Sequence, residues 1–239
     1  MTATGIADLP LVGGHPALDL VNTVEPRLPA AGRHEHLKVP GDVLTWALRT
    51  QLVDPAEGRA VAAAWAASPA AADRALSAIL QTREALSVAL SALLSPPSPT
   101  AEDDPQPDTQ MPAQVKSAAE HAPGPLLAEL EYLSVTWSGA AGRSRLTLGS
   151  SGGPLARLAV GSSAALLVPD RAAHAAVDLL CHADPRHLGM CPVEAGGCGW
   201  VFIDRSRNRS RRWCAMQDCG AHVKAKRLTE RRRTVRSGY

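Results

Sequence analysis

Apolar residues recur at helical spacing through most of the first 94 residues. The segment DVLTWALRTQLV repeats leucine or alanine at every third or fourth position, which predicts a helix that begins at Gly41-Asp42. Asp54-Pro55 and Ser68-Pro69 each join a helix-capping residue to a proline at the first helical position. These signals predict two further helices, over residues 55–67 and 69–94.

Other stretches carry strand-like or mixed patterns. Residues 9–27, LPLVGGHPALDLVNTVEPR, open with turn formers and predict a strand or an extended segment. The runs EYLSVTW and RSRLTLGS predict two strands, with SGAAGR as the hairpin turn between them. The remaining expectations are helices at 112–121 and 125–131, a strand or helix over 155–168 that Pro169 ends, and a helix with Asp170 as its N-cap.

Residues 95–112 differ from their surroundings because they hold six prolines in eighteen residues. This composition predicts a disordered proline-rich loop. Aromatic residues make up 3% of the chain and Phe202 is the single phenylalanine, so the core must consist of Ala, Leu and Val. These residues favour helices, and the expected fold class is α+β, mostly α, with a helical N-terminal domain that includes a small β-hairpin.

The net charge of +2 conceals an uneven distribution of charge. Residues 199–239 carry twelve Lys and Arg against three acids, a net of +9, and the rest of the chain is acidic. A basic segment on an acidic body indicates a polyanionic partner. The N-terminus lacks the pattern of a signal peptide and the sequence has no apolar run of membrane-spanning length, so a cytoplasmic protein without membrane contact is expected.

Four cysteines near the C-terminus have the spacing Cys191-x6-Cys198-x15-Cys214-x4-Cys219. Two close pairs separated by a hairpin-sized insert suit a tetrahedral zinc site, and cytoplasmic thiols bind metal more often than they form disulfides. One alternative is four unrelated thiols, and another is a Cys3His site in which His222 replaces Cys191. The fifth cysteine, Cys181, is expected to be a small core residue.

Cations surround the second cysteine pair. The stretch between the pairs and the segment after them present a dense set of basic side chains, whose alternative interpretation is a solvated face. On a small metal-bound module, such a set predicts contacts with DNA phosphates. The candidate contacts are Arg205, Arg207, Arg209, Arg211, Arg212, Lys224, Lys226 and Arg227.

The stretch CGWVFIDRSRNRSRRWCAMQDCG resembles the CGNR zinc-finger family, and GGHPALDLVNT resembles the opening of the ABATE domain that accompanies this finger. The resemblance implies a bacterial transcription regulator, sometimes described as stress-induced, with one structural Zn²⁺ on the four cysteines. It also implies an ABATE-like domain over 1–184, a treble-clef or ribbon-like finger with a basic helix over 185–233, and a tail over 234–239.

Two residues depart from the family motif, because Ala221 and His222 stand where CGNR proteins have Asn and Arg. The zinc site should tolerate this change, whereas DNA affinity or sequence choice should be altered. The spacing between the first two cysteines also exceeds the family's usual spacing.

The function expected from these features is a regulator that binds double-stranded DNA. Its N-terminal domain would form a homodimer or sense a small-molecule effector, with His15, Asp19 and Asn22 as candidate ligand contacts. The alternative for Asp19 and Asn22 is that they satisfy backbone groups. An RNA- or ribosome-binding protein is a second hypothesis. A third hypothesis is an enzyme with an unrecognised site in the N-terminal domain, but an enzyme is not expected, because the sequence has no nucleophile elbow, phosphate loop or paired carboxylates.

Overall fold

A computed structural model describes residues 5–27, 32–94, 124–149 and 152–236. Seven helices and three two-stranded antiparallel sheets lie in these ranges. The helices are α1 (Pro16–Val21), α2 (Pro40–Arg49), α3 (Pro55–Ala67), α4 (Pro69–Leu94), α5 (Gly124–Gly142), α6 (Leu167–His182) and α7 (Ala221–Arg236). The strands are β1 (Val24–Glu25), β2 (His34–Glu35), β3 (Arg145–Leu148), β4 (Ala156–Ala159), β5 (Leu188–Met190) and β6 (Val201–Ile203).

Proline at the first helical position marks the start of four helices. The predicted bounds of α3 and α4 are confirmed, and Asp54 and Glu57 form a reciprocal capping box at the start of α3. The extended segment predicted for residues 9–27 was wrong in part, because α1 begins at Pro16. The ring nitrogen Nδ1 of His15 caps this helix by accepting the Ala17 N–H at 3.2 Å.

The strand predicted for EYLSVTW was wrong, because this stretch belongs to α5. Leu126, Leu133 and Ala140 recur every seven residues and are the buried positions of that helix, which packs against α4 and α6. Burial of this stripe outweighs the preference of the β-branched and aromatic residues for strands. The hairpin lies farther along the chain and consists of β3 and β4.

Helix α6 begins earlier than predicted. Pro169 does not end the preceding segment, because it lies in the first turn of the helix, where a missing N–H breaks no intrahelical bond. Asp170 does not cap the helix either. Its buried carboxylate instead pairs with the guanidinium of Arg143, at 2.5 Å and 2.9 Å. Residues 155–168 contain both β4 and the start of α6.

The core joins the helical region to the C-terminal module. Trp46 and Leu20 from the first helices belong to the same buried apolar cluster as Trp200 and Phe202, and three of the four clustered cysteines belong to it as well. The predicted α+β, mostly α fold with a C-terminal cysteine cluster on a β-hairpin is confirmed. The C-terminal module is therefore packed into the core instead of projecting from it.

The proline-rich loop expected at 95–112 and the helix expected at 112–121 lie outside the described residues. In the ranges that are described, no helix is both long and apolar enough to cross a membrane. The last helix continues to Arg236, three residues past the predicted end of the finger.

Candidate metal centre and nucleic-acid interface

The first cysteine pair lies on the loop that connects β5 to β6. The Cys191 N–H donates to the Trp200 carbonyl at 2.8 Å, and the Gly197 N–H donates to the Pro192 carbonyl at 2.8 Å. A Cβ atom on Gly197 would lie 2.6 Å from the Cys191 Sγ, so only glycine fits this turn. The turn brings Cys198 back beside Cys191.

The second pair lies at the start of α7. Cys214 precedes a single wide helical turn, Met216–Gly220, which contains Cys219 and leads directly into the helix. The Gly220 N–H donates to the Ala215 carbonyl at 3.2 Å, which closes this turn. The β-hairpin and the helix start therefore each supply two sulfurs.

The four sulfurs of Cys191, Cys198, Cys214 and Cys219 lie within 4.8 Å of one another. The Cys198 and Cys214 sulfurs are 3.5 Å apart, and those of Cys214 and Cys219 are 3.6 Å apart. A tetrahedron with Zn–S bonds of 2.3 Å has edges of about 3.8 Å, so the cluster matches the size of a zinc site. The predicted single Zn²⁺ is confirmed at the level of its ligand set.

The sulfurs are also too close together to ionise independently. Hydrogen bonding to the Cys198 thiol lowers the pKa of Cys191, and the same contact raises the pKa of Cys198. Such a group shares its protons unless a cation balances the thiolates, and Zn²⁺ supplies that positive charge.

The two other sulfur and nitrogen candidates are not part of this cluster. His222 lies outside the group of four ligands while Cys191 is inside it, so the Cys3His alternative was wrong. Cys181 was predicted to be a core residue, but its side chain is exposed on α6. The helical pattern placed Cys181 near Val177, and the neighbouring elements leave this position uncovered.

Two family models match the chain, one on each side of residue 185. The model for ABATE, described as "Putative stress-induced transcription regulator", matches residues 14–183, and the model for the CGNR zinc finger matches residues 187–232. The chain belongs to the ABATE family. The predicted resemblance is thereby confirmed for both parts. No curated protein matches the chain.

The inward face of the finger is hydrogen-bonded to the ABATE region. The buried side chain of Asn22 donates to the Val201 carbonyl at 2.9 Å and accepts the Val201 N–H at 2.9 Å. The Trp200 indole donates to the Val24 carbonyl at 2.8 Å. The segment that follows α1 therefore contacts the start of strand β6. This junction was not predicted, although the polar residue in the apolar run DLVNT was its signal.

Asp19 and His15 also bond within the chain. The buried carboxylate of Asp19 accepts the Gly13 N–H at 2.8 Å, and burial raises the pKa of this group to about 6. His15 caps α1, and its other ring nitrogen lies 3.8 Å from the carboxylate of Asp178. The hydrogen bonds of Asp19 and Asn22 support the structural interpretation, and effector binding by His15, Asp19 and Asn22 stays a prediction.

Arg211 differs from the other arginines in its loop because its guanidinium points into the protein. It donates to the carbonyls of Val12 at 3.1 Å and Trp213 at 3.1 Å, and also to the carbonyl of Cys214. The guanidinium carbon stacks 4.2 Å from the centre of the Phe202 ring. The N–H groups and the flat face of the Arg211 guanidinium are thus engaged by contacts within the protein. These contacts give Arg211 a positioning role at the second cysteine pair.

The remaining described cations face outward. Arg207, Arg209 and Arg212 are exposed on the loop before Cys214, and Lys224 and Lys226 are exposed on α7. Arg205 is exposed too, but it donates to the Gly14 carbonyl at 3.0 Å. Arg227 lies in α7, and its side chain falls outside the described part of the chain.

The arginine loop and the basic helix meet at one groove of about 390 Å³. Arg212 from the loop and Lys224 from α7 both line it, and the guanidinium of Arg212 lies 5.3 Å from the centre of the Trp213 ring. The other lining residues include Trp213, Met216, Val223 and Leu228. Met216 and Leu228, two exposed apolar residues within this basic surface, were not among the predicted contacts.

Ala221 and His222, the two departures from the family motif, lie in a different cavity. This cavity of about 450 Å³ borders the metal ligands Cys198 and Cys219 and also includes Glu25. Burial, and then the neighbouring charge of Asp218, raise the pKa of Glu25. The changes therefore lie beside the metal centre, in a cavity other than the groove, although their chain neighbours Gly220 and Val223 line that groove.

Proposed function

We propose that this ABATE-family protein is a cytoplasmic transcription regulator that binds double-stranded DNA with the outward face of its finger. The observation that carries the proposal is the convergence of the arginine loop and α7 on one groove. Arg212 and Lys224 line this groove, and Arg207, Arg209 and Lys226 are exposed on the same loop and helix, which meet at the cysteine cluster. Cations on a rigid surface neutralise phosphates and release counterions from the duplex.

The role of zinc in this proposal is structural. Four cysteines complete a tetrahedral shell and leave no open position for a substrate or for water. The metal would hold the loop between the cysteine pairs against the start of α7. This arrangement supports a binding module and gives no support for zinc catalysis in the finger.

The replacement of Asn and Arg by Ala221 and His222 should change how tightly the finger binds DNA. Both side chains are exposed at the start of α7, directly after the turn that carries Cys219. Ala221 removes a polar side chain from this position, and the imidazole of His222 lacks the five-donor guanidinium fork of an arginine. We expect the double variant Ala221→Asn with His222→Arg to bind duplex DNA more tightly than the natural sequence.

A mobility-shift titration tests the proposal. The protein should retain a duplex from its own promoter region at a salt concentration at which random duplex is released. Arg207→Ala combined with Lys224→Ala should reduce the slope of log affinity against log salt by about 2. Arg59→Ala combined with Arg74→Ala removes the same charge from exposed positions on α3 and α4 and should leave the slope unchanged.

Each outcome has a defined meaning. Equal competition by promoter and random duplex would remove the sequence-specific part of the proposal. If the zinc-loaded protein binds no duplex at low salt, the proposal that this finger binds DNA is wrong. A preference for structured RNA over duplex DNA under the same conditions would favour the alternative RNA-binding hypothesis.

A further inference from the structure

The β3–β4 hairpin exposes a concentration of leucine side chains found nowhere else among the described residues. Leu148 and Leu155 are 94% and 95% exposed, Leu146 is 73% exposed and Leu158 is 47% exposed. Seven of the eight strand residues are exposed, and only Ala159 is half-buried. The hairpin therefore extends into solvent with large apolar groups uncovered.

The strand register places most of these leucines on one face. Leu146 lies opposite Leu158, and Leu148 lies opposite Ala156. Side chains two residues apart along a strand share a face, so these four residues form one continuous apolar surface. The other face carries the polar and charged residues of the two strands, namely Arg145, Thr147 and Arg157.

Such a hairpin is a poor structure on its own in water. An isolated pair of strands is marginally stable, and it normally needs a further strand or a packed face. Contiguous apolar patches of this kind on a single chain mark sites of association. In the described ranges, no further strand pairs with β3 or β4.

We propose that a second copy of this chain covers the apolar face, so that two hairpins pack leucine against leucine about a twofold axis. The exposed apolar surface of Leu146, Leu148, Leu158 and Ala156 is on the order of 400 Å² per copy, so a symmetric pair buries roughly 800 Å², the size of a weak, reversible contact. A self-complementary face suits a twofold contact because each copy presents the same residues.

The charges of the hairpin are compatible with this pairing. Like-charged copies repel when their cations meet, but Arg145 and Arg157 lie on the face away from the leucines. Residues 143–160 contain no acid, so the hairpin offers no counter-charge to a basic or cationic partner. The side chains of this face are aliphatic, so the same face of a second copy is complementary to it.

The test uses the full-length zinc-loaded protein and needs no DNA. Sedimentation velocity across a dilution series should show a dimer that dissociates as the protein is diluted. Leu148→Glu should shift the protein to monomer at every concentration, with at least a tenfold weaker association, because two carboxylates would meet inside the apolar contact. Since Leu148 is 94% exposed within the single copy, the variant should keep the wild-type melting temperature measured at a dilution where both proteins are monomeric.

Val135→Glu is the matched control, because it introduces the same charge at a 66% exposed apolar position on α5. This variant should dimerise like the wild type. A wild-type protein that stays monomeric at the highest concentration overturns the proposal. So does a dimer that survives Leu148→Glu, since another surface would then hold it together. Hydrogen exchange that is slow in the hairpin of a monomeric protein would assign the face to another segment of the same chain, which also overturns the proposal.

Discussion

The two faces of the zinc finger contain the same residue types in opposite roles. On the inward face, Arg211 gives its hydrogen bonds to backbone carbonyls and stacks on Phe202. On the outward face, Arg207 and Arg209 stand in the same short loop with exposed side chains. The inward face is part of the core of an ABATE protein, and we propose that the outward face contacts DNA.

Residues that stabilise the fold and residues proposed to bind DNA therefore alternate within a loop of ten residues, 204–213. Phe202 in β6 and Trp200 just before it are buried in the core. The loop that follows β6 leads back to the cysteine cluster at Cys214. Side chains of this loop that point toward the core are required for packing. Side chains that point away from it are available to a partner, so substitutions in the loop should fall into two groups.

Loss of one zinc ligand should have the largest effect. Cys198→Ser leaves three thiolates at a site that needs four ligands, and the free energy of unfolding should fall by more than about 5 kcal/mol. Because Cys198 belongs to the same cluster as Trp46, the helical region should lose stability together with the finger. Urea unfolding followed by circular dichroism measures this loss, and metal analysis measures the zinc content.

Cys181→Ser is the control for that substitution, since it makes the same atomic change at an exposed cysteine outside the cluster. It should leave both zinc content and stability at wild-type levels. If Cys198→Ser loses zinc but the helical region unfolds at an unchanged urea concentration, the finger and the ABATE region are energetically independent. That result would contradict the shared core.

Asn22→Ala should have the next largest effect. It removes both hydrogen bonds to Val201 and leaves a buried N–H and a buried carbonyl without these bonds. We expect a loss of about 3 kcal/mol in the free energy of unfolding. Asn208→Ala changes the same residue type at an exposed position in the arginine loop and should change this free energy little. Equal effects of the two substitutions would argue against Asn22 as a junction residue.

A smaller effect should follow from the ionisation of Asp19. Burial raises the pKa of this carboxyl to about 6 in the folded protein, above the value of about 3.9 expected for the unfolded chain. Between these values the folded state binds more protons, so this contribution to stability is fully present below about pH 4 and is lost as the pH rises through about 6. The difference is at most about 3 kcal/mol.

The pH dependence can be isolated with Asp19→Asn, which keeps an oxygen able to accept the Gly13 N–H but cannot ionise. Subtracting the unfolding free energy of this variant from that of the wild type between pH 4 and 7 should give a difference that declines as the pH rises. Asp73→Asn, at an exposed carboxylate on α4, should not reproduce that decline. A flat difference for Asp19→Asn would contradict the raised pKa.

The sequence predicted those parts of the fold that depend on local signals. Pro55 and Pro69 defined the starts of α3 and α4, and the cysteine spacing defined the metal ligands. The strand predicted near Val135 was wrong because its residues favour strands, whereas the burial of Leu133 and Ala140 against neighbouring helices decides the structure. Local preference does not reveal which face of a segment will be covered.

The residues of the candidate site could be predicted from the sequence, but not which of their side chains point into the protein. All arginines of the loop were predicted to have one role, because a run of charged residues does not reveal which side chain turns inward. The inward turn of Arg211 depends on carbonyls of Val12 and Cys214, which are far apart in the chain and meet only in the folded protein. The bond between Asn22 and Val201 spans a similar distance in sequence and was missed for the same reason.

The most direct test of the two-faced finger compares Arg211→Ala with Arg207→Ala, two loop positions at which the same charge is removed. Melting temperature and affinity for the promoter duplex are measured for both variants. Arg211→Ala should lower the melting temperature by about 5 °C, because it removes several hydrogen bonds from partly buried carbonyls. Arg207→Ala should keep the wild-type melting temperature, bind the duplex more weakly and lower the salt slope by about 1. The account is contradicted if Arg211→Ala melts like the wild type, or if Arg207→Ala binds the duplex like the wild type.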